Sequence, residues 1–298
     1  MRPQEHIGST RRTSSENPLW LLNHSRDVYS QSGEDGILEK VFEIVGPTNR
    51  WCVEFGAWDG EHLSNTANLI RNADFSAVLI EADGTRFRKL QERYEDTDRV
   101  HVLNELVQSR RPGSLDEILA RTPVPTEFDL LSVDIDGNDY HVWKALSNYK
   151  PRVVVIEFNP SVPDEVVFVQ KDDASVQQGA SAKAMVELGR EKGYELIAVT
   201  RFNIILVRRE LFPPFGISDN SLHELRQERD LVTYVFTGYD GTVLISGFGK
   251  MLWHDIPLSV ARFQHLPQWL RRYPDDYGPF SRRAFSIFRK FWRWRTGG

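Results

Sequence analysis

The sequence predicts an α/β fold built on a doubly wound, seven-stranded sheet, mostly parallel, closed by an antiparallel hairpin and followed by a C-terminal extension. Three observations carry this. Five continuous apolar runs, at 51–55, 77–80, 100–103, 128–133 and 152–156, each lead through an acidic or glycine-bearing turn into apolar residues at helical spacing. Such runs belong to strands of a parallel sheet covered on both faces. Polar residues gather at the carboxyl ends of all five, where open α/β sheets bind their ligands. Finally, a helical segment at 181–192 stops at Gly193, and the runs 194–199 and 202–207 flank a short polar turn, as an antiparallel closing hairpin does.

Length and composition bound the rest. At 298 residues the chain suits one enlarged α/β domain with extensions. A net charge of -5 argues against general nucleic-acid binding. A single cysteine, Cys52, excludes an internal disulfide framework. It lies in an apolar strand, as a buried structural thiol does. No apolar run is long enough for a signal peptide or a membrane span, so the default expectation is a cytoplasmic enzyme.

Residues 1–27, rich in Arg, Ser, Thr and Asn, show little periodicity and predict a loosely held arm. Residues 28–212 form the expected main domain. Ser32 is placed to cap a helix whose apolar positions are Ile37, Val41, Phe42 and Val45. After the first strand and its glycine turn, residues 64–71 form the next expected helix. Further helices follow the second strand, with Phe87, Leu90 and Tyr94, and the fourth, with Val142, Trp143 and Leu146; a short one starts at Ser114. Residues 162–179 lapse into a loop that can serve as a lid. The extension, 213–298, holds a second hairpin around the turn Gly238-Tyr239-Asp240-Gly241, then a basic, aromatic helix at 282–295.

The stretch Trp-Cys-Val-Glu-Phe-Gly-Ala-Trp-Asp-Gly, residues 51–60, reads as a buried strand entering a tight turn. Glycines there let a ligand approach the main chain, and a following helix would offer free N–H groups and its positive dipole end. Glu54, just before the turn, is placed to accept from hydroxyl or ammonium donors. The result is the outline of a nucleotide-type cofactor site.

At the fourth and fifth strand ends, Asp134-Ile135-Asp136 and Glu157-Phe158-Asn159 each place two oxygen donors on one side, because alternate residues of an extended chain point the same way. Adjacent strands would bring Asp134, Asp136, Glu157 and Asn159 together, a hard-oxygen set suited to Mg²⁺. The alternative is that Asp134 orders cofactor or substrate directly while Asp136 and Asp139 shape the turn. His141 follows the cluster and can act as a general base or serve the structure; His62 offers the same choice beside the first turn.

The order of elements and three motifs resemble the FkbM-like family of class I S-adenosylmethionine-dependent methyltransferases, whose sheet is Rossmann-like. The motifs are residues 53–60 (Val-Glu-Phe-Gly-Ala-Trp-Asp-Gly), residues 131–137 (Leu-Ser-Val-Asp-Ile-Asp-Gly), and the closing segment from Gly179-Ala180-Ser181 to Lys192-Gly193-Tyr194, Asn203 and Val207-Arg208-Arg209. The likeness spans about residues 29–212. It implies S-adenosylmethionine as cofactor, with Glu54 facing its methionine end beside Gly56, Ala57, Asp59 and Gly60. Glu81 would hold the ribose hydroxyls, Asn104 or Glu105 would lie near the adenine, and Gln31 would reach in from the N-terminal segment. Trp58 stands where many methyltransferases carry a second glycine. Some sugar- and catechol-directed methyltransferases hold a divalent metal at these strand ends, where it orients a substrate hydroxyl.

The reading that follows is O-methylation of a small-molecule or glycan acceptor, with Asp134 and His141 as catalytic candidates. The alternatives are a non-catalytic binding or scaffold subunit in glycan assembly, and an NAD-linked oxidoreductase, against which the turn lacks G-x-G-x-x-G. The basic helix either packs its apolar face on the core, packs it on a second subunit in a homo-oligomer, or lies peripherally on an anionic membrane.

Overall fold

The computed structural model describes residues 17–297. The chain forms two compact units that divide between Arg229 and Asp230, later in the chain than the change of composition at 213 indicates. Phe215, Ile217, Leu222 and Leu225 belong to the core of the first unit, which explains the later division.

The first unit is a seven-stranded sheet with helices on both faces. Its strands are β1 (Trp51–Phe55), β2 (Ser76–Ile80), β3 (Val100–Leu103), β4 (Glu127–Val133), β5 (Lys150–Glu157), β6 (Tyr194–Val199) and β7 (Asn203–Arg208). The helices are α1 (Glu34–Val45), α2 (Ala67–Asn72), α3 (Gly84–Tyr94), α4 (Leu115–Leu119), α5 (Asp139–Ala145), α6 (Ala182–Glu191) and α7 (Leu222–Leu225). The strand order is β3-β2-β1-β4-β5-β7-β6, parallel from β3 to β5, with β7 antiparallel to both β5 and β6. This is a Rossmann-like, doubly wound sheet. The chain runs outward from β1 through β2 and β3, then returns to start β4 on the other side of β1, so a crevice opens at the carboxyl ends of β1 and β4. Leu130, Leu131, Val153, Val154, Val155 and Ile156 are fully buried, as strands covered on both faces require. Cys52 is buried among them, and burial pushes its thiol well above the ordinary range.

Local details depart from expectation in three places. Residues 17–27 are tied down: a 3₁₀ turn at Trp20–His24 buries Leu21, and the Trp20 indole N–H donates to the Phe215 carbonyl at 3.0 Å. The rest of the expected arm, residues 1–16, lies outside the described residues. Ser32 does not cap α1; Gly33, with φ +91°, is the N-cap. A side chain at Gly33 would meet Ser25 Cβ at 2.5 Å, so that position admits only glycine. The helix after β1 starts at Ala67 rather than near 64, for a reason that lies in Glu54 (below).

The second unit carries the hairpin β8 (Thr233–Thr237) and β9 (Val243–Gly247), a two-residue pair β10 (Lys250–Met251) and β11 (Ile256–Pro257), the short α8 (Val260–Phe263) and the long α9 (Pro279–Thr296). Among the described residues no helix is long and apolar enough to cross a membrane.

Candidate functional site at the carboxyl ends of the strands

The β1 turn and the end of β4 meet backbone to backbone. Gly56 has φ +78°, and a Cβ there would stand 1.7 Å from the Asp134 carbonyl oxygen. Only glycine permits this approach. Gly56→Ala is therefore expected to cost about 2 kcal/mol or more, measured as a fall in the urea midpoint at unchanged slope; an unchanged midpoint would contradict the packing.

The turn satisfies most of its own amides. Gly56 and Ala57 N–H both donate to the Ile80 carbonyl (3.0 and 3.1 Å), Gly60 N–H to the Ala57 carbonyl (2.7 Å), and Trp58 N–H to Glu81 Oε2 (2.8 Å). Asp59 Oδ1 accepts from Glu61 and His62 N–H, while Oδ2 pairs with Arg93 at 3.1 Å. Gly60 is a packing glycine: a Cβ would lie 2.6 Å from both Leu90 and Tyr94 of α3, and the Tyr94 hydroxyl donates to its carbonyl. Trp58 adopts φ +50°, which a bulky residue takes only when its surroundings impose it. Its half-exposed ring lies 3.5 Å from the Arg86 guanidinium and 5.1 Å from the His62 ring.

Glu54 replaces the free helix end that the turn was expected to present. It is buried, and accepts from Ser64 Oγ (2.7 Å), Asn65 N–H (2.9 Å) and Thr66 Oγ1 (2.7 Å). Ser64 Oγ in turn accepts from Ala67 N–H at 3.0 Å. The anion at the start of α2 is thus the protein's own, and residues 64–66 are drawn out of the helix to serve it. Burial raises the pKa of this carboxyl despite those three donors.

Glu81 ends β2, buried, with one N–H on each oxygen: Trp58 on Oε2 and Asp83 on Oε1 (2.7 Å). Each oxygen keeps a lone pair, the complement of a vicinal diol. Asn104 donates to the Glu81 and Ala82 carbonyls (2.8 and 3.2 Å) and so braces the loop after β2. Glu105 is engaged by Arg121 at 2.6 Å. Gln31 is partly buried, in a loop held by the Asp35 carboxylate, which accepts from Val28, Tyr29 and Ser30 N–H.

Asp134, Asp136 and Glu157 do converge, each with an oxygen within 4.8 Å of the others. Two of the three, Asp134 and Glu157, bind protons more tightly than free carboxylates do. Burial, and then the neighbouring carboxylates, hold both well above the usual carboxylate range. Such a set is relieved by a shared proton or by a cation. Asn159, the fourth residue expected there, is engaged by its own turn. Its amide oxygen accepts from Ser161 N–H and Oγ (2.9 and 2.6 Å) and its amide nitrogen donates to the Gln178 carbonyl (2.9 Å), because the chain turns immediately after β5.

His141 Nε2 lies 2.8 Å from the Gln170 carbonyl, which can only accept, so Nε2 carries the proton and Nδ1 the lone pair.

Asp139 shapes the turn, as one of the two sequence readings has it, while Gln170, Asp172 and Arg226 organise the site without a signal in the sequence. Asp139 accepts from Ile135 and Gly137 N–H (both 2.9 Å), closing the loop that holds Asp136 at φ +56°. Buried Gln170 accepts from Gln178 and Gly179 N–H and donates to the Val176 carbonyl and to Asn138 Oδ1. The 162–179 segment is thereby anchored beside α5 rather than free as a lid. Asp172 accepts from Ser109 Oγ and Asn138 Nδ2, which adds a second tie. Arg226, within the strongly charged run 221–230, is buried and donates to Pro160, Val162 and Asp164.

No family model matches the chain, and no curated protein matches it by sequence. Solved structures do align with it. The N-terminal domain of EvdMO1 with SAH bound is 11% identical over 60% of this chain and 82% of that one, with a TM-score of 0.39. A proposed caffeoyl-CoA O-methyltransferase from Staphylococcus aureus is 11% identical over 63% and 87%, TM-score 0.42. A proposed O-methyltransferase from Klebsiella pneumoniae is 15% identical over 68% and 91%, TM-score 0.38. At these values none of them fixes what this chain binds.

Proposed function

We propose that this chain is an S-adenosylmethionine-dependent methyltransferase acting on a hydroxyl of a sugar or natural product. The observation that carries the reading is the placement of carboxylates at the ends of β2, β4 and β5 around the crevice between β1 and β4. Glu81 suits a ribose diol. Asp134, Asp136 and Glu157 suit an acceptor hydroxyl, held directly or through Mg²⁺.

The cofactor would supply a methyl group on a positive sulfur, and the reaction is an in-line displacement by the acceptor oxygen that leaves S-adenosylhomocysteine. The protein's part is alignment and removal of one proton. The Asp134–Glu157 pair, with its raised affinity for protons, is a stronger base than an ordinary carboxylate and is the first candidate. His141 can accept only at Nδ1, since its other nitrogen is committed to Gln170.

The test is transfer of labelled methyl from S-adenosylmethionine to a panel of sugar and natural-product alcohols, with and without EDTA. Transfer to a hydroxyl supports the reading, and its loss in EDTA supports the metal. Cofactor binding without transfer to any acceptor favours a non-catalytic subunit in glycan assembly. One observation leans that way: the amides of Gly56, Ala57, Trp58 and Gly60 are already paired, leaving side chains to supply the cofactor affinity.

A further inference from the structure

Helix α9 was expected to have one broad apolar face; the structure divides that face in two. Phe285, Phe288 and Trp292 are the partly buried side. Phe285 stacks on Tyr277 at 5.1 Å and Trp292 lies 4.5 Å from the His265 ring, so this side packs within its own unit. A second stripe faces outward. Phe280 is 85% exposed, Ile287 64%, Phe291 49% and Trp294 80%. At 3.6 residues per turn these four positions fall within an arc of about 60°, and the Phe291 and Trp294 rings are 6.3 Å apart.

The charge around the stripe is of one sign. Arg282, Arg283, Arg289, Lys290, Arg293 and Arg295 are all exposed, and no carboxylate lies between residues 279 and 296. Helical geometry sets Arg283 and Lys290 along one edge of the stripe and Arg295 along the other. The whole chain, by contrast, carries -5.

We propose that α9 is an interfacial anchor that lies on an anionic lipid bilayer, with Phe280, Ile287, Phe291 and Trp294 entering the headgroup boundary and the flanking cations holding lipid phosphates. An exposed aromatic stripe beside a cationic face is the pattern of helices that lie in the membrane plane. Trp is favoured at that depth, where its ring is apolar and its N–H meets polar groups. A second copy of this chain fits the surface poorly, since a two-fold contact along the stripe would bring the same cations face to face. A nucleic acid would match the charge, yet four adjacent aliphatic and aromatic side chains have no use on a phosphate backbone.

The test is co-sedimentation of the full chain with vesicles of phosphatidylcholine alone, or of phosphatidylcholine mixed with phosphatidylglycerol. Binding to the mixed vesicles alone is expected, with Trp emission shifting to the blue. Phe291→Ser with Trp294→Ser should weaken it at least about tenfold through lost apolar burial. Arg283→Gln and Lys290→Gln should each weaken it about fivefold, and less so in high salt. All four side chains are exposed, so the variants should keep the wild-type melting temperature and affinity for S-adenosylhomocysteine. No binding to the mixed vesicles, equal binding to both kinds, or indifference to the stripe variants would overturn the proposal. So would a wild-type dimer dissolved by Phe291→Ser with Trp294→Ser, or a polyuridine oligomer that displaces the vesicles.

Discussion

Arg226→Ala is expected to lower stability by about 3 kcal/mol or more, as removal of one partner from a buried, hydrogen-bonded ion pair does. The guanidinium is 1% exposed on its side chain. It donates to the Pro160 carbonyl (2.6 Å), the Val162 carbonyl (3.1 Å), Asp164 Oδ1 (2.6 Å) and the Glu228 carbonyl (3.1 Å), and sits 5.0 Å from the Phe158 ring. Deleting it strands three carbonyls and opens a cavity over Phe158. Asp164 keeps Arg229 at 2.8 Å, which limits the electrostatic loss. For a unit of this size the change is a fall in Tm of roughly 6–12 °C. Glu228→Gln, which removes the exposed pair with Arg201, is the control and should cost under about 1 kcal/mol. Equal Tm values for the two variants would contradict the buried role. The same deletion frees residues 160–164 just beyond Glu157, so methyl transfer should fall with the Tm.

Asp134→Asn is expected to separate stability from activity. Asp134 and Glu157 hold protons more tightly in the folded chain than in the unfolded one. The folded state therefore binds more protons than the unfolded state across that interval, and stability falls as pH rises from about 4, the unfolded value, through the raised folded values. The amide carries no charge, so the variant should lose less Tm between acid and neutral pH and melt above wild type at neutral pH. Methyl transfer should fall by about a hundredfold or more, the scale of a lost alignment. A divalent ion at this cluster would raise the wild-type Tm at neutral pH and leave the variant unmoved. A variant that melts lower than wild type at neutral pH, or that keeps its activity, would contradict the role given to Asp134.

The legible part of the molecule is the part governed by apolar burial. Strands β4 and β5 announce themselves because Leu130 to Val133 and Val153 to Ile156 are buried on both faces. The sequence reading starts β5 at Arg152, which is paired with buried Asp129 at 2.7 Å, and misses Lys150 and Pro151, with which the strand begins. The convergence of Asp134, Asp136 and Glu157 was legible because β4 and β5 are neighbours, but Asp136 joins through the left-handed loop that Asp139 closes beyond β4 and not through strand alternation. What was not legible depends on who satisfies whom. Ser64, Asn65 and Thr66 read as the start of a helix, but Glu54 claims their donors. Asn159 reads as a ligand, but Ser161 is two residues away and reaches its oxygen first. Gln170 and Arg226 sit in polar stretches without period, and only the folded chain shows that each is a buried hub. Helix α9 was legible as amphipathic, whereas the split between Phe285, Phe288 and Trp292 and the outward stripe depends on its packing within the second unit.

The most direct measurement is calorimetric titration of the full chain with S-adenosylhomocysteine, for wild type and for Glu81→Ala. Micromolar binding by wild type, weakened at least about tenfold when the two diol-accepting oxygens are removed, is the expected result. No binding by wild type, or equal affinity in the variant, would contradict a cofactor site at the end of β2.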